Sequence, residues 1–285
     1  MDLSPKHSGD YEFLDAGSLG RLERFGDYVL SRPSPQAIWE PEAPSLWESA
    51  DAVYERKGRN DGSWTFKRRP PQDWSMKWEG LQFALKPTGF GHTGLFPEHA
   101  CHWDWVRERV ASVSECRVMN LFAYTGAMSM VAARAGAEVC HVDAVRDMND
   151  WAKENAQASG LADAPIRWLA DDVMKFTARE ARRENSYHGF VLDPPSFGRG
   201  PKGEKWVLDE QLPQLIRQLM AIAVEAPAFL LFTCHNPGFS PPVMRNLLQP
   251  WMKRFGGSLQ AGTMTVGHPD RACVLPTGFY CRWEP

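Results

Sequence analysis

The chain has 285 residues, a formal net charge of -3 at pH 7 and a hydrophobic fraction of 43%. This length and composition can bury the core of one large domain together with a smaller one. No apolar run is long enough to cross a membrane, and the N-terminus lacks the basic and apolar regions of a signal peptide, so we expect a cytoplasmic protein with no membrane partner. The small negative charge argues against a surface that binds nucleic acid everywhere, because phosphate binding depends on lysine and arginine.

The spacing of the cysteines argues against a protein with a cysteine-ligated metal site and against a small disulfide-bonded secreted protein. The six cysteines include no close pair with metal-ligand spacing and no framework typical of a small secreted domain. We therefore predict no metal site and no disulfide set. The cysteines are Cys101, Cys116, Cys140, Cys234, Cys273 and Cys281.

Residues 1–90 have the pattern of a small β-rich domain, because short aromatic and β-branched stretches alternate with Pro, Gly, Asn and Asp. Two basic clusters, Arg56–Arg59 and Lys67–Arg69, are either solvated turns or local RNA-binding patches. Five tryptophans either fill the core of the small sheet or offer aromatic faces to unpaired bases. They are Trp39, Trp47, Trp64, Trp74 and Trp78.

Residues 91–285 form the second predicted domain, in which strand and helix patterns alternate. Such alternation predicts a parallel sheet with helices on both faces. The predicted strands are Val118–Phe122, Glu138–Asp143, Ile166–Leu169, Gly189–Asp193 and Phe229–Cys234. The predicted helices are Cys101–Ser112, Ala127–Ala135, Arg146–Ser159, Val173–Glu184, Val207–Ala226 and Ser240–Phe255. Two final extended stretches, Ser258–Val266 and Ala272–Arg282, predict a hairpin that places an antiparallel strand in the sheet.

The turn after the first of these strands indicates which cofactor the domain binds. A dinucleotide fold usually needs three glycines there so that its backbone can reach a pyrophosphate, whereas Tyr124-Thr125-Gly126 contains one. A cofactor without phosphate, such as S-adenosylmethionine, needs only that one. The sequence therefore favours S-adenosylmethionine over NAD.

Several motifs together resemble the class I S-adenosylmethionine-dependent methyltransferases, in particular the branch that contains the bacterial 23S rRNA cytosine-C5 methyltransferases. The resemblance rests on residues 120–126, Asp143, the run 193–197 and Thr233-Cys234, and it covers about Gly94 to the C-terminus. It implies an α/β, Rossmann-like fold with a mostly parallel seven-stranded sheet, S-adenosylmethionine as cofactor, and RNA, expected to be ribosomal, as partner. Residues before Gly94 do not match the RNA-binding module of those enzymes.

The expected cofactor site lies outside the carboxyl ends of the strands, where ligands bind in open α/β sheets. Asp143 can accept hydrogen bonds from both ribose hydroxyls, with a helix N-cap as the alternative. By resemblance Asp172 contacts the adenine amino group; Asp171 is the alternative, and either can instead cap the next helix. Phe96 lies in a run that resembles a loop closing over the cofactor. The full set is Phe96, Asn120, Phe122, Ala123, Tyr124, Gly126, Asp143, Asp172, Asp193 and Pro194.

The tetrad 193–196 is the expected base-reading element, because two prolines hold the backbone rigid and Asp193 can accept from the N4 amine of cytosine. Methyltransferases acting on adenine N6 also use such a tetrad, normally with an aromatic residue directly after the prolines, where this chain has Ser196. The loop 198–205 either holds RNA phosphates or is a disordered surface loop. The expected substrate-binding residues are Pro195, Ser196, Phe197, Arg199 and Lys202.

Cys234 and Asp193 are the expected catalytic residues. A cytosine-C5 methyltransferase first adds a thiolate to carbon 6, and Cys234 ends a strand beside the expected pocket, where His235 or another basic group can lower its pKa. The alternative is a small core residue. We therefore predict methyl transfer to cytosine C5 in RNA, with methylation of an exocyclic base amine, or cofactor and RNA binding without catalysis, as alternatives. The base that removes the C5 proton is Asp270, His268 or water.

Overall fold

The computed structural model describes residues 1–6, 9–58 and 61–285, so Arg59 of one predicted basic cluster lies outside the described residues. Contacts divide the chain into two compact units. Unit 1 comprises Met1–Leu3, His102–Met264 and Gly278–Pro285, and unit 2 comprises Ser4–Cys101 and Thr265–Thr277. The predicted boundary at residue 90 differs from this division.

The tip of the C-terminal hairpin belongs to unit 2 because it contacts that unit directly. His268 Nε2 lies 3.4 Å from Glu12 Oε1, and Gln36 Nε2 donates to the carbonyl oxygen of Pro276 at 2.9 Å. Contacts between residues so distant along the chain leave no local pattern in the sequence. The sequence pattern alone therefore places the hairpin tip with the second predicted domain.

Unit 2 is built on a sheet that, among the described residues, has five strands in sequential order. They are β1 (Tyr11–Gly17), β2 (Gly20–Phe25), β3 (Tyr28–Pro33), β4 (Ala52–Arg56) and β5 (Gly62–Phe66). The β3–β4 pair is parallel and the other neighbours are antiparallel. A separate hairpin follows, made of β6 (Ser75–Trp78) and β7 (Leu81–Ala84). Short 3-10 helices occupy Pro44–Ser49 and Pro97–His102.

A buried ionic cluster lies at the centre of the unit 2 sheet. Glu23 is fully buried on β2 and accepts hydrogen bonds from Arg32 Nε at 3.0 Å and from the Tyr11 hydroxyl at 3.0 Å. Arg21 Nε lies 3.2 Å from the same carboxylate. Burial alone would raise the pKa of Glu23, but the two arginine charges and the hydrogen bonds from Arg32 and Tyr11 together more than offset it, and the pKa is lowered.

We expect Glu23→Gln to destabilise the chain by about 3–5 kcal/mol, because it removes the negative charge that pairs with the buried Arg32 and the partly buried Arg21. The lowered pKa also means that the carboxylate contributes stability above its ordinary pKa of 4.5, and that this contribution is lost as the pH falls through the folded-state value. Urea unfolding at neutral and acidic pH measures both effects. Glu55→Gln, at an exposed position of β4, is the control; equal stability of the two variants at neutral pH would contradict the argument.

Unit 1 contains a second sheet, which has seven strands among the residues described. Its strands are β8 (Arg117–Leu121), β9 (Glu138–Asp143), β10 (Ile166–Ala170), β11 (Gly189–Leu192), β14 (Phe229–Cys234), β15 (Ser258–Gly267) and β16 (Val274–Glu284). The strand order is β10-β9-β8-β11-β14-β16-β15. The first five strands of that order are parallel, and β16 runs antiparallel to β14. The predicted mostly parallel seven-stranded sheet is therefore confirmed.

Helices connect the strands of unit 1. They are α1 (Trp103–Ala111), α2 (Ala127–Arg134), α3 (Arg146–Ala158), α4 (Val173–Arg182), α5 (Leu208–Ala221), α6 (Pro241–Leu247) and α7 (Gln249–Phe255). The long helix predicted at Ser240–Phe255 is two helices, since Pro250 lacks the N–H that a continuous helix needs and its ring crowds the preceding turn. None of the described helices is long and apolar enough to span a bilayer.

A short hairpin, β12 (Phe197–Arg199) paired with β13 (Lys205–Val207), occupies the segment predicted as a basic loop. It is inserted between β11 and α5, directly after the tetrad. Trp206 anchors it, with only 3% of its surface exposed. The alternative of a disordered loop is therefore wrong.

Candidate active site

The strand order reverses between β8 and β11, because the chain continues from β8 to β9 on one side and from β11 to β14 on the other. In open α/β sheets the crevice at the carboxyl ends of such strands is the usual ligand site. The turn after β8 and the tetrad after β11 both lie at that edge. The topology thus brings together two segments that are about seventy residues apart in the sequence.

The turn after β8 is conformationally unusual. Phe122, Tyr124 and Gly126 all have positive φ, at 55°, 50° and 87°. Only glycine adopts this region without strain, so the two aromatic residues must be held there by their surroundings. Gly126 is also sterically constrained, since a Cβ at that position would lie 3.0 Å from the Cβ of Ala152 on α3.

Asp143, the last residue of β9, holds this turn through its carboxylate. Oδ2 accepts from the backbone N–H of Tyr124 at 2.9 Å, and Oδ1 accepts from the backbone N–H of Val145 at 2.9 Å. Burial raises the pKa of the carboxyl group, and these two hydrogen bonds oppose the rise. Each oxygen retains acceptor capacity, because a carboxylate oxygen can accept more than one hydrogen bond.

A buried polar network supports the turn from beneath. Asn120 Nδ2 donates to Ser129 Oγ at 2.9 Å, and Ser129 Oγ is also 2.9 Å from His141 Nδ1. Asn155 Nδ2 donates to the carbonyl oxygen of Thr125 at 2.9 Å. Desolvation lowers the pKa of His141 to about 3, so this histidine is neutral near pH 7. Asn120 is only 3% exposed, and its amide supports the turn through Ser129. Its expected contact with the cofactor stays a prediction.

The two carboxylates after β10 have different structural partners. Asp172 caps α4, because its Oδ1 accepts from the backbone N–H of Lys175 at 2.9 Å. Asp171 forms an ion pair with Arg179 and accepts the backbone N–H of Asp172 at 2.9 Å. The capping role weighed as an alternative therefore exists for Asp172, and its adenine contact stays a prediction.

The tetrad after β11 is tied to β14 and to the hairpin. Asp193 Oδ1 accepts from Thr233 Oγ1 at 2.8 Å, and Asp193 Oδ2 lies 3.6 Å from His235 Nε2. Asn236 Nδ2 donates to Ser196 Oγ at 3.1 Å. Pro194 is buried, whereas Pro195 and Ser196 are exposed.

Trp206 is a residue of this site that the sequence did not indicate. Its indole N–H donates to the carbonyl oxygen of Pro195 at 2.7 Å, and its ring centroid lies 4.8 Å from that of Phe122. It thus links the tetrad to the turn after β8. The carbonyl oxygen of Pro195 is therefore engaged within the protein.

Cys234 lies at the end of β14 as expected, but its environment is not that of a reactive thiol. The residue is 0% exposed and belongs to the main hydrophobic cluster of unit 1. Burial raises the pKa of its thiol to about 11, the reverse of the expected lowering. The thiolate, which is the nucleophilic form, is a very small fraction at neutral pH.

The exposed side of the β12–β13 hairpin carries the remaining predicted substrate residues. Phe197 is 51% exposed, and the Arg199 guanidinium lies 6.0 Å from its ring centroid. Glu204 accepts from the backbone N–H of Lys202 at 2.8 Å and pairs with Lys175 at 2.6 Å, and the Lys175 hydrogen bond lowers the pKa of Glu204 to about 2. The hairpin thus presents an exposed aromatic ring and basic groups beside the tetrad.

Phe96 belongs to unit 2. Its ring is stacked on His99 at a centroid distance of 5.9 Å and meets His92 edge-on at 5.1 Å. These contacts account for its orientation within unit 2. Its expected contact with the cofactor stays a prediction.

Comparison with known proteins identifies the family of this chain. The family model of S-adenosylmethionine-dependent methyltransferases matches residues 43–249, well over half of the chain. A solved S-adenosylmethionine-dependent methyltransferase from Agrobacterium tumefaciens is 38% identical and superposes with a TM-score of 0.94, covering 100% of this chain and 93% of that one. A methyltransferase solved in complex with SAH shares the fold, with a TM-score of 0.72 at 18% identity, covering 98% of this chain and 76% of that one.

Curated relatives are longer proteins. Ribosomal RNA large subunit methyltransferase K/L of Shewanella frigidimarina is 27% identical over 201 residues, which cover 64% of this chain and 28% of that protein. The protein of the same name from Pseudomonas syringae pv. syringae is 31% identical over 188 residues, covering 65% and 24%. The chain therefore matches only about a quarter of the length of these relatives.

The chain belongs to the S-adenosylmethionine-dependent methyltransferase family. S-adenosylmethionine is its methyl donor, as the single-glycine turn predicts. The class I fold and the cofactor inferred from the sequence are confirmed, and the predicted cytosine-C5 reaction is not.

Proposed function

We propose that the chain transfers the methyl group of S-adenosylmethionine to a base of large-subunit ribosomal RNA. The observation that carries the proposal is the position of the Asp193–Ser196 tetrad at the carboxyl edge of the sheet, where Trp206 connects it to the turn after β8. A rigid tetrad with a carboxylate suits the recognition of a planar base amine. The names of the K/L relatives support ribosomal RNA as the polymer.

The cofactor fits the acceptors at this edge. Asp143 offers carboxylate oxygens to the ribose hydroxyls, and Asp172 offers Oδ2 to the adenine amine while Oδ1 caps α4. The turn that includes Phe122, Ala123 and Tyr124 holds the methionine half, and aromatic faces there stabilise a sulfonium cation. When bound, the cofactor supplies an electrophilic methyl group.

Asp193 then orients the target base by accepting a hydrogen bond from its exocyclic amine. Thr233 fixes one oxygen of the carboxylate, and His235 lies within 3.6 Å of the other. A fixed acceptor lowers the entropic cost of bringing the reacting nitrogen to the methyl group. Arg199 and Lys202 hold the phosphates of the flanking strand, and Phe197 offers a stacking face to a neighbouring base.

The burial of Cys234 favours an exocyclic amine over cytosine C5 as the methyl acceptor. The C5 reaction needs a thiolate that reaches carbon 6 of the base, but the Cys234 thiol is fully buried and has a raised pKa. An amine uses its own lone pair and releases its proton to the Asp193 carboxylate, which accepts its hydrogen bond, so it needs no thiolate. The C5 reaction is the second candidate, because Cys234 directly follows Thr233, which binds Asp193.

Methyl transfer to RNA from cells that lack the gene, followed by nucleoside mass spectrometry, tests both the proposal and its chemistry. We expect an amine-methylated nucleoside, with Cys234→Ala retaining activity within about threefold of the wild type, since removal of one buried sulfur costs stability rather than turnover. Cys281→Ala is the matched control, because Cys281 is also 0% exposed and lies on the neighbouring strand β16.

Two outcomes would change the assignment. Formation of 5-methylcytidine that is lost in Cys234→Ala but kept in Cys281→Ala would establish the C5 reaction. Absence of a methylated product on any RNA, with cofactor binding intact, would leave a cofactor-binding protein without RNA methyltransferase activity.

A further inference from the structure

We propose that unit 2 carries a second RNA contact, a stacking surface for single-stranded RNA at the outer edge of its five-stranded sheet. We call this surface the aromatic edge patch and define it as Trp64, Phe66, Arg69 and Phe90. The inference rests on the proposed function in that it takes RNA as the substrate. None of the four residues belongs to the candidate active site.

The aromatic edge patch contains a ladder of three flat groups. The rings of Trp64 and Phe66 are nearly parallel, with a centroid distance of 6.1 Å and an interplanar angle of 21°. The Arg69 guanidinium lies 4.0 Å from the Phe66 centroid. Both rings are only partly buried and Arg69 is exposed, so the ladder is accessible from solvent.

The ladder is held in place by a loop of unit 2. Trp64 Nε1 donates to the carbonyl oxygen of Thr88 at 2.8 Å, and the Tyr54 hydroxyl donates to the carbonyl oxygen of Gly89 at 2.8 Å. Gly91 has a φ of 79°, and a Cβ there would lie 2.7 Å from the Tyr54 ring. The loop is therefore pinned on both sides of Phe90, whose side chain remains 62% exposed.

Such an arrangement is hard to explain as core packing. A hydrophobic residue that is 62% exposed gains little from burial, yet its loop is fixed by two side-chain hydrogen bonds and a close backbone contact. Among the described residues β5 pairs only with β4, so no further strand is hydrogen-bonded to this edge of the sheet. A rigid, exposed aromatic surface is what nucleobase stacking requires.

The local charge is complementary to RNA even though the chain as a whole is acidic. Five exposed basic residues lie at the end of β4, directly after β4 or directly after β5, against the exposed acids Glu55 and Asp61 in the same segment. Arg68 pairs with Asp51, whereas Arg69 has no ion pair among the described residues and is free to meet a phosphate. The basic residues are Arg56, Lys57, Lys67, Arg68 and Arg69.

Single-stranded RNA fits this chemistry better than a duplex does. Bases in a duplex are stacked on each other, so their faces cannot reach Trp64, Phe66 or Phe90, whereas unpaired bases stack on aromatic side chains and on arginine planes. A surface that recognised only phosphates would need the charges and not the ordered rings. The rings therefore point to single strands.

The test compares variants that keep bulk or charge while removing the stacking faces. In Phe66→Leu the apolar volume remains and the ring is lost; in Arg69→Lys the charge remains and the planar guanidinium is lost. We measure the affinity of the full chain for a short single-stranded RNA of mixed sequence by fluorescence anisotropy. Each variant is expected to bind about tenfold more weakly, since stacking on one side chain contributes about 1–3 kcal/mol.

Arg254→Lys is the matched control, because Arg254 lies 4.9 Å from the ring of Phe255 in a similar cation–aromatic pair on α7 of unit 1. It should bind RNA as the wild type does. Thermal unfolding of every variant confirms folding. Unchanged affinity in Phe66→Leu and Arg69→Lys, or an equal loss in Arg254→Lys, would overturn the proposal.

Two further measurements separate this inference from the proposed function. If a duplex RNA binds as tightly as the single strand and loses the same affinity in the variants, the patch is a phosphate-binding surface and the stacking proposal fails. If the variants lose single-strand affinity while the wild type methylates no RNA, the patch stands and the proposed function fails. If the wild type methylates RNA while both variants bind the single strand as tightly as the wild type does, the proposed function stands and the patch proposal fails.

Discussion

Replacement of Asp193 by alanine is expected to lower the turnover of methyl transfer by about 10²–10⁴-fold, the range associated with loss of a group that positions or exchanges a proton at the reacting atom. Asp193 is the one carboxylate of the tetrad, and Thr233 fixes one of its oxygens at 2.8 Å. Without it the target amine has no charged acceptor and the Thr233 hydroxyl loses its short partner. Single-turnover kinetics with labelled cofactor measure the effect.

Two companion variants identify what Asp193 contributes. Asp193→Asn keeps the shape and one oxygen acceptor but removes the charge, so its loss should be smaller than that of alanine. Thr233→Val removes the hydrogen bond that orients the carboxylate and should lower turnover about tenfold or more, since a hydrogen bond to a charged group contributes about 1.5–3 kcal/mol. Asp163→Ala, at an exposed position before β10, should have no effect. Normal turnover in Asp193→Ala would remove this residue from the mechanism.

The sequence predicted the sheet well because the patterns that mark buried strands involve only residues close together in the chain. The strands Glu138–Asp143 and Phe229–Cys234 have the observed bounds, and the single-glycine turn correctly indicated the cofactor. Buried parallel strands are short apolar runs that end where the chain becomes polar, so their ends can be found without knowledge of the fold. The same rule places Asp143 and Asp193 at one edge of the sheet.

The burial of Cys234 shows what local signals cannot supply. Successive residues of a strand point to opposite faces, so Thr233 binds Asp193 while the side chain of Cys234 lies in the hydrophobic cluster. The sequence places both residues at the strand end but does not say which one faces the site. The role of Trp206 was hidden for a related reason, because its contacts with Phe122 and Pro195 form only after the hairpin folds back.

Asp143 is the residue whose loss should affect cofactor binding most. Asp143→Ala removes the acceptor proposed for the ribose hydroxyls, and it also leaves the backbone N–H groups of Tyr124 and Val145 without their partner. Charge-assisted hydrogen bonds contribute about 1.5–3 kcal/mol each, so the affinity for S-adenosylmethionine should fall about 100-fold or more. Isothermal titration calorimetry measures it, with Asp147→Asn in the first turn of α3 as the exposed control.

The same carboxylate should make cofactor affinity depend on pH. Burial raises the pKa of Asp143 above its ordinary value of 3.8, so the group takes up a proton at a higher pH than an exposed aspartate does. Only the ionised form accepts hydrogen bonds with both oxygens, so affinity should be full above the raised pKa and decline as the pH falls through it. Asp143→Asn should bind weakly at every pH and lose this dependence, because its amide cannot titrate and satisfies only one of the two backbone N–H groups. A decline of equal size in Asp143→Asn would assign the titration to another group and leave Asp143 with the structural role alone, that of holding the turn after β8.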